Sequence, residues 1–118
     1  MNATAAPARG TAQREAILDA LRPSIEAQLG PNVVFLIKTI RVQDGWAFVV
    51  ADPRRKGGGY INGWAYVPDY GNRLTLEVTA MLRFDKGHWS LVRQQVGATD
   101  VWYCDIGPRA LKSGYGCR

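Results

Sequence analysis

Histidine is almost missing from this chain, with His88 alone among 118 residues, and cysteine occurs only twice, as Cys104 and Cys117. Nucleophile-and-base catalysis usually rests on a histidine or another acid–base group held beside a nucleophile. The one available lies in the turn DKGH, where an exposed turn residue is expected, so no catalytic residue is assigned. A zinc site needs four suitably spaced ligands, and none follow His88 once the cysteines pair with each other. No metal and no cofactor are therefore expected. No apolar run approaches the roughly 20 residues that span a bilayer, which argues against an integral membrane protein. Nor is there a tight Lys/Arg stripe of the kind that marks a dedicated nucleic-acid domain, so nucleic acid is a disfavoured partner.

What is present is the mixture of an ordinary globular domain, 47% hydrophobic and 21% charged,. Fifteen Lys and Arg against ten Asp and Glu leave a net charge of +5, a field that steers anionic surfaces toward the chain without naming one. The length suits one core, so residues 11–118 are expected to form a single domain behind a disordered lead-in at 1–10. Joining Cys104 to Cys117 would close a loop of about 14 residues and contribute roughly 3 kcal/mol. Such a bond belongs to an oxidising compartment, which points to a periplasmic or secreted protein. The Ala/Pro/Thr-rich opening MNATAAPARG lacks an apolar signal core but has the composition common just after a cleavage site.

Thr11 offers an N-cap, after which Ile17, Leu21, Ile25 and Leu29 recur every four residues with Leu18 beside them,. This spacing predicts an amphipathic helix ending at Gly30-Pro31. Pro23 removes an internal hydrogen bond, so a kink or two abutting helices are expected there. VVFLIKTIRVQ (33–43) reads as a strand and Asp44-Gly45 as a type I′ hairpin turn, with WAFVVA (46–51) returning as the second strand. Residues 52–72 read as a long decorated loop at a sheet edge, with a short irregular strand around 64–67. From Leu74 to Asp85 apolar and polar residues alternate, predicting a strand with one buried and one wet face. A turn at 85–88 leads into HWSLVRQQV. Thr99 or Asp100 is placed to cap one helical turn, and the rest reads as an extension tied back by the disulfide. The fold class is α+β: a helix packed on a curved antiparallel meander of about four strands.

That order of elements resembles the cystatin-like and nuclear-transport-factor-2-like (NTF2-like) α+β folds. The stretches REAILDALRP, VVFLIKTIRVQDGWAFVVADP, AMLRFDKGHWSLV and VGATDVWY look like an uncharacterised family of small exported bacterial proteins. The resemblance covers roughly residues 14–103 and implies fold and export, not activity. Cystatin inhibition is not carried over, because Gln94-Gln95-Val96-Gly97-Ala98 lacks the final glycine of the Gln-x-Val-x-Gly motif. NTF2-like enzymes hold an acid–base pair between helix and sheet, which makes Asp19, Asp52, Glu77 and Asp100 the carboxylates of interest. Each has a structural reading: Asp19 flanks the helix stripe, Asp52 precedes Pro53 in a turn, Glu77 sits on the wet face and Asp100 is a cap. Trp46, Phe48 and Trp89 read as core, and Trp102 and Tyr103 as pins for the C-terminal extension.

The least ordinary feature is the loop carrying Arg54, Arg55 and Lys56 beside three glycines, followed by Tyr60, Trp64, Tyr66 and Tyr70. Basic groups beside flat aromatic faces can hold anionic chains and stack on sugars or bases. The sequence thus predicts a non-enzymatic extracytoplasmic binding or accessory protein. Its partner would be a protein or an anionic envelope polymer, with a monomer or a homodimer both compatible. The alternatives are a small enzyme with an NTF2-like pocket and an inhibitor or immunity protein against an envelope enzyme.

Overall fold

The structure, a computed structural model, describes residues 4–73 and 75–118, so Leu74, the first residue of the expected long strand, lies outside it. Helix α1 spans Ala12–Leu29. The Thr11 hydroxyl accepts from the Arg14 amide at 3.3 Å, satisfying one of the free N–H groups of the first turn,. Ile17, Leu18, Leu21, Ile25 and Leu29 are all buried, and each such side chain contributes about 1.5–3 kcal/mol when removed from water. That stripe runs on both sides of Pro23, and the helix passes through the proline as one element rather than two. It stops at Gly30, whose φ of 87° is a left-handed conformation suited to glycine,.

Four strands come next: β1 (Val33–Gln43), β2 (Trp46–Arg55), β3 (Val78–Asp85) and β4 (His88–Val96). They form one sheet in the order β1-β2-β3-β4, every neighbouring pair antiparallel. The two hairpins turn on Asp44-Gly45 and Lys86-Gly87, whose φ values are 53° and 75°, and 51° and 84°, the pairing that a type I′ turn requires. Register shifts leave Lys38 extra in β1 and Val92 extra in β4, bulges of the sort that sharpen strand twist. α1 packs on β4, β1 and β3, and its stripe meets Ala47, Val49, Ala51, Ala80 and Leu82 in the main core.

Besides the start of β3, which is Val78 and not Leu74, three expectations about the strands and their loop are corrected. β2 does not end at Ala51 but runs to Arg55, so Asp52 is a strand residue opposite Leu36 and not a turn residue. β3 stops pairing with β2 at Ala51, and beyond that point the described residues add no strand pairing on that side of β2, which is where a strand tolerates a proline such as Pro53. Residues 63–66 are a helical turn, α2 (Gly63–Tyr66), instead of an irregular strand, since the Asn62 side chain accepts from the Trp64 amide at 3.2 Å and caps it. The third concerns the face of the sheet opposite α1, which is not wet: Thr79 and Met81 are buried.

The C-terminal segment covers that face. Residues after Val96 bend back so that Tyr103 and Leu111 enclose Phe48, Val50 and Met81 in a second core. The Phe48 ring lies 5.0 Å from Tyr103 and 5.3 Å from Tyr115. Trp46 closes against Gly107, where a Cβ would come within 2.9 Å of the indole. Trp46 and Phe48 therefore face the extension, while Trp89 packs on the helix side. Cys104 and Cys117 are bonded. Trp102 donates to the Thr79 hydroxyl at 3.0 Å, and Arg41 to the carbonyls of Leu111 and Ser113 at 3.0 and 2.7 Å. Thr99 and Asp100 lie in a bend ahead of a turn at 102–105 and cap no helix. Lys112 is 0% exposed, its ammonium donating to the carbonyls of Ile106, Gly107 and Pro108 at 2.6, 3.2 and 2.7 Å. Burial, reinforced by nearby Arg109, pulls its pKa below 10.5 against the opposing pull of Asp105. Of the lead-in, Met1–Ala3 lie outside the described residues, and Ala5 exchanges both backbone hydrogen bonds with Val42 at the edge of β1.

Candidate functional site

The basic and aromatic loop leaves β2 through Arg54 and Arg55. The Arg55 amide donates to Gly59 and the Gly58 amide to Arg55, both at 2.8 Å, while Gly57 and Gly58 each take φ 96°. Two successive positive φ values are why this turn is built of glycine. α1 has no basic residue in its last turn, and its exposed carbonyls carry the negative end of the helix dipole. Arg55 supplies the missing cation from β2, donating to Leu29 at 2.5 Å and Pro31 at 2.9 Å. Its guanidinium stacks 4.9 Å from the centre of the Tyr66 ring, which packs so close to Gly30 that a Cβ there would sit 2.9 Å away.

Arg54 is engaged differently. It donates to Asp52 at 2.7 Å and lies 4.1 Å from the centre of the Tyr60 ring. Farther along, Tyr70 packs on Gly63 and meets Trp64 edge-on at 5.1 Å. Arg73 closes the loop. It binds both Asp69 oxygens at 3.0 Å and donates to the carbonyls of Val96 and Gly97 at 2.9 and 2.8 Å. The Arg73 hydrogen bonds hold the Asp69 carboxyl below its ordinary 3.8. Ile61 is buried in the main core between these ends.

The result is a firmly mounted loop whose rings are not used to fill the core: Tyr60 is 83% and Trp64 73% exposed. Of the seven residues singled out in the sequence, Arg55, Lys56 and Tyr66 line one depression of about 530 Å³ together with Pro31 and Asn32. Arg54 with Tyr60, and Trp64 with Tyr70, form separate pairs. Sequence reasoning passed over Pro31, Asn32, Asp69 and Arg73. Only the Gly-Pro-Asn run after the helix was a signal, as asparagine tolerates the left-handed conformation that Asn32 takes at φ 63°,.

A second, larger groove of about 810 Å³ lies between the first half of α1 and the two hairpin turns, lined by Ala16, Asp19, Phe84, His88 and Trp89 among others. Asp19 is in its wall, but the carboxylate is 64% exposed and pairs with Arg22 at 2.6 Å. His88 is exposed. Elsewhere Glu77 pairs with Lys38 at 2.5 Å, and that hydrogen bond raises the Lys38 pKa above 10.5. Among the described residues no three His, Cys, Asp or Glu side chains are grouped to hold a metal ion, and no helix is long and apolar enough to cross a membrane. No known protein family, curated protein or solved structure matches this chain.

Proposed function

We propose that this chain is a non-enzymatic extracytoplasmic binding or accessory module that docks its partner on the loop from Arg54 to Tyr70. The observation carrying this reading is that Tyr60 and Trp64 stand open to solvent on a segment fixed at both ends by Arg55 and Arg73. Ordered aromatic rings outside a core cost little entropy to bind and concentrate interface energy. The disulfide supports an oxidising compartment,. Kinship with cystatin-like and NTF2-like domains is part of the same proposal, and the helix followed by a four-strand meander is compatible with it.

Replacing Tyr60 and Trp64 together by alanine is expected to lower retention of the protein on an envelope fraction by about tenfold or more, with its melting temperature unchanged. Equal retention would remove the loop from consideration. A second reading, a small-molecule or enzymatic pocket, draws on the groove that Asp19 and His88 both line. The solvated Asp19–Arg22 pair gives it less support than the loop has.

A further inference from the structure

The outer edge of β1 is closed at its two ends and open between them. Backbone groups along a strand point alternately toward one neighbour and away from it. The Lys56 amide donates to the Asn32 carbonyl at 2.7 Å, so the Asn32 backbone faces the β2 side and that of Val33 faces outward. Two side chains of α1 take up Val33: its amide donates to Glu26 at 3.0 Å and its carbonyl accepts from Arg22 at 3.2 Å. At the other end Ala5 pairs with Val42 in a single antiparallel bridge. Two positions on, Pro7 has no N–H to offer Ile40, and its carbonyl accepts from Arg14 at 3.5 Å. Alternation sets the N–H and C=O groups of Phe35 and Ile37 outward with those of Val33, and among the described residues nothing from outside the sheet pairs with them.

The flank of this window is basic. Arg14, Leu18 and Arg22 follow one another four residues apart on α1, and with Arg9 they line a groove of about 400 Å³ along Val34–Ile37 in which Glu15 is the one carboxylate. Arg22 is partly spent on Asp19 and on Val33. Arg14 has only the long contact to Pro7, and Arg9 has no ion-pair partner among the described residues. The depression that continues along the edge past Ile37 adds Lys38 and Arg41 and no carboxylate, although Lys38 is paired with Glu77 and Arg41 with carbonyls. The side chains of Phe35 and Ile37 pack toward the helix, where the Arg22 guanidinium lies 5.7 Å from the Phe35 ring centre. Leu36 is on the other face and 48% exposed.

We infer that the Val34–Ile37 edge receives an extended acidic segment of a partner protein as an added antiparallel strand. Main-chain bonds to Phe35 and Ile37 would supply affinity, and the alternating side chains specificity. Acidic residues of the segment would lie on the helix face beside Arg14 and Arg22, and apolar ones beside Leu36. Pairing this edge with its equivalent in a second copy would set arginines against arginines, a juxtaposition that costs binding energy. A nucleic-acid backbone has no row of N–H and C=O groups to offer a strand. The site uses none of the residues of the Arg54–Tyr70 loop and holds whether or not that loop docks a partner.

The test is titration of the full oxidised chain with acetyl-Glu-Val-Glu-Val-Glu-Val-amide, with the peptide carrying Lys for Glu, and with two N-methylated forms of the acidic peptide, followed by amide hydrogen exchange. Saturable binding of the acidic peptide is expected, with slowed exchange at Phe35 and Ile37 and none added at Leu36, whose amide already faces β2. Binding should weaken about tenfold or more for the lysine peptide, for the form methylated on its glutamate nitrogens and for Arg14→Glu. The form methylated on its valine nitrogens, which face away from β1, should bind like the unmodified peptide. No saturation up to about 1 mM peptide, equal binding of the lysine peptide, or binding without protection of Phe35 and Ile37 would each overturn the inference. Loss of binding in the Tyr60→Ala, Trp64→Ala double variant would place the peptide on the loop and overturn it as well. Protection of the same two amides in the free chain, rising with protein concentration alongside a dimer in sedimentation, would give the edge to a second copy instead.

Discussion

Arg73 carries more of the loop's order than any other single side chain, because it ties Asp69 to the carbonyls at the end of β4. Arg73→Ala is expected to cost about 1–2 kcal/mol through the lost carbonyl bonds and to speed proteolysis within residues 66–73. Acid should loosen the loop in the parent to a smaller degree, because it removes the Asp69 tie and leaves the carbonyl bonds of Arg73 in place. The folded-state pKa of Asp69 is lowered, so its contribution is complete above 3.8 and is lost as the pH falls from there through the folded value. Hydrogen exchange followed from pH 6 to pH 2 should show the loop opening in the parent, with no corresponding step in Arg73→Ala. Arg55 teaches a related lesson. Its run of basic residues read as a ligand-binding patch, yet the guanidinium caps a helix that ended 26 positions earlier in the chain, and no local pattern reveals which cation reaches a distant helix end.

Among the elements, the C-terminal segment departs most from what local pattern predicts. Alternation in β3 marked Thr79 and Met81 as solvent-facing, and period-two spacing tells which residues share a face but not whether something covers it. The signal was in β2, where WAFVVA is apolar at nearly every position, as a strand buried on both faces must be. Met81→Ala should therefore cost about 2–5 kcal/mol, where a wet methionine would cost almost nothing, and denaturant unfolding decides between them. Replacing Cys104 and Cys117 by serine should lower stability by about 3 kcal/mol and raise binding of an apolar dye as Phe48, Val50 and Met81 lose their cover. A variant that stays equally stable and dye-free would mean that the segment holds itself down through Arg41, Trp102 and Lys112 without the bond.

At the scale of the molecule, two concavities compete for the functional role. The groove near Asp19 is larger, but the loop displays the ordered aromatics. Ala16 is exposed in the groove wall, and Ala16→Trp would place an indole in that space. Retention on the envelope fraction is expected to stay as in the parent. Its loss, with the melting temperature preserved, would move the binding site to the groove.

Sequence alone was enough for the helix, the presence and order of the four strands and the two hairpin turns, since apolar spacing, an N-cap threonine and the Asp-Gly pair act over a few residues, but not for the end of β2 at Arg55 or the start of β3 at Val78. It also placed the two cysteines where a bond is productive. Which face of the sheet the last residues cover, which arginines are consumed by helix ends and carbonyls, and that the Lys56 ammonium has no partner among the described residues were settled only by the tertiary structure. The reason is physical: burial and pairing of a side chain depend on groups dozens of positions away, brought near by the fold and invisible to any local period.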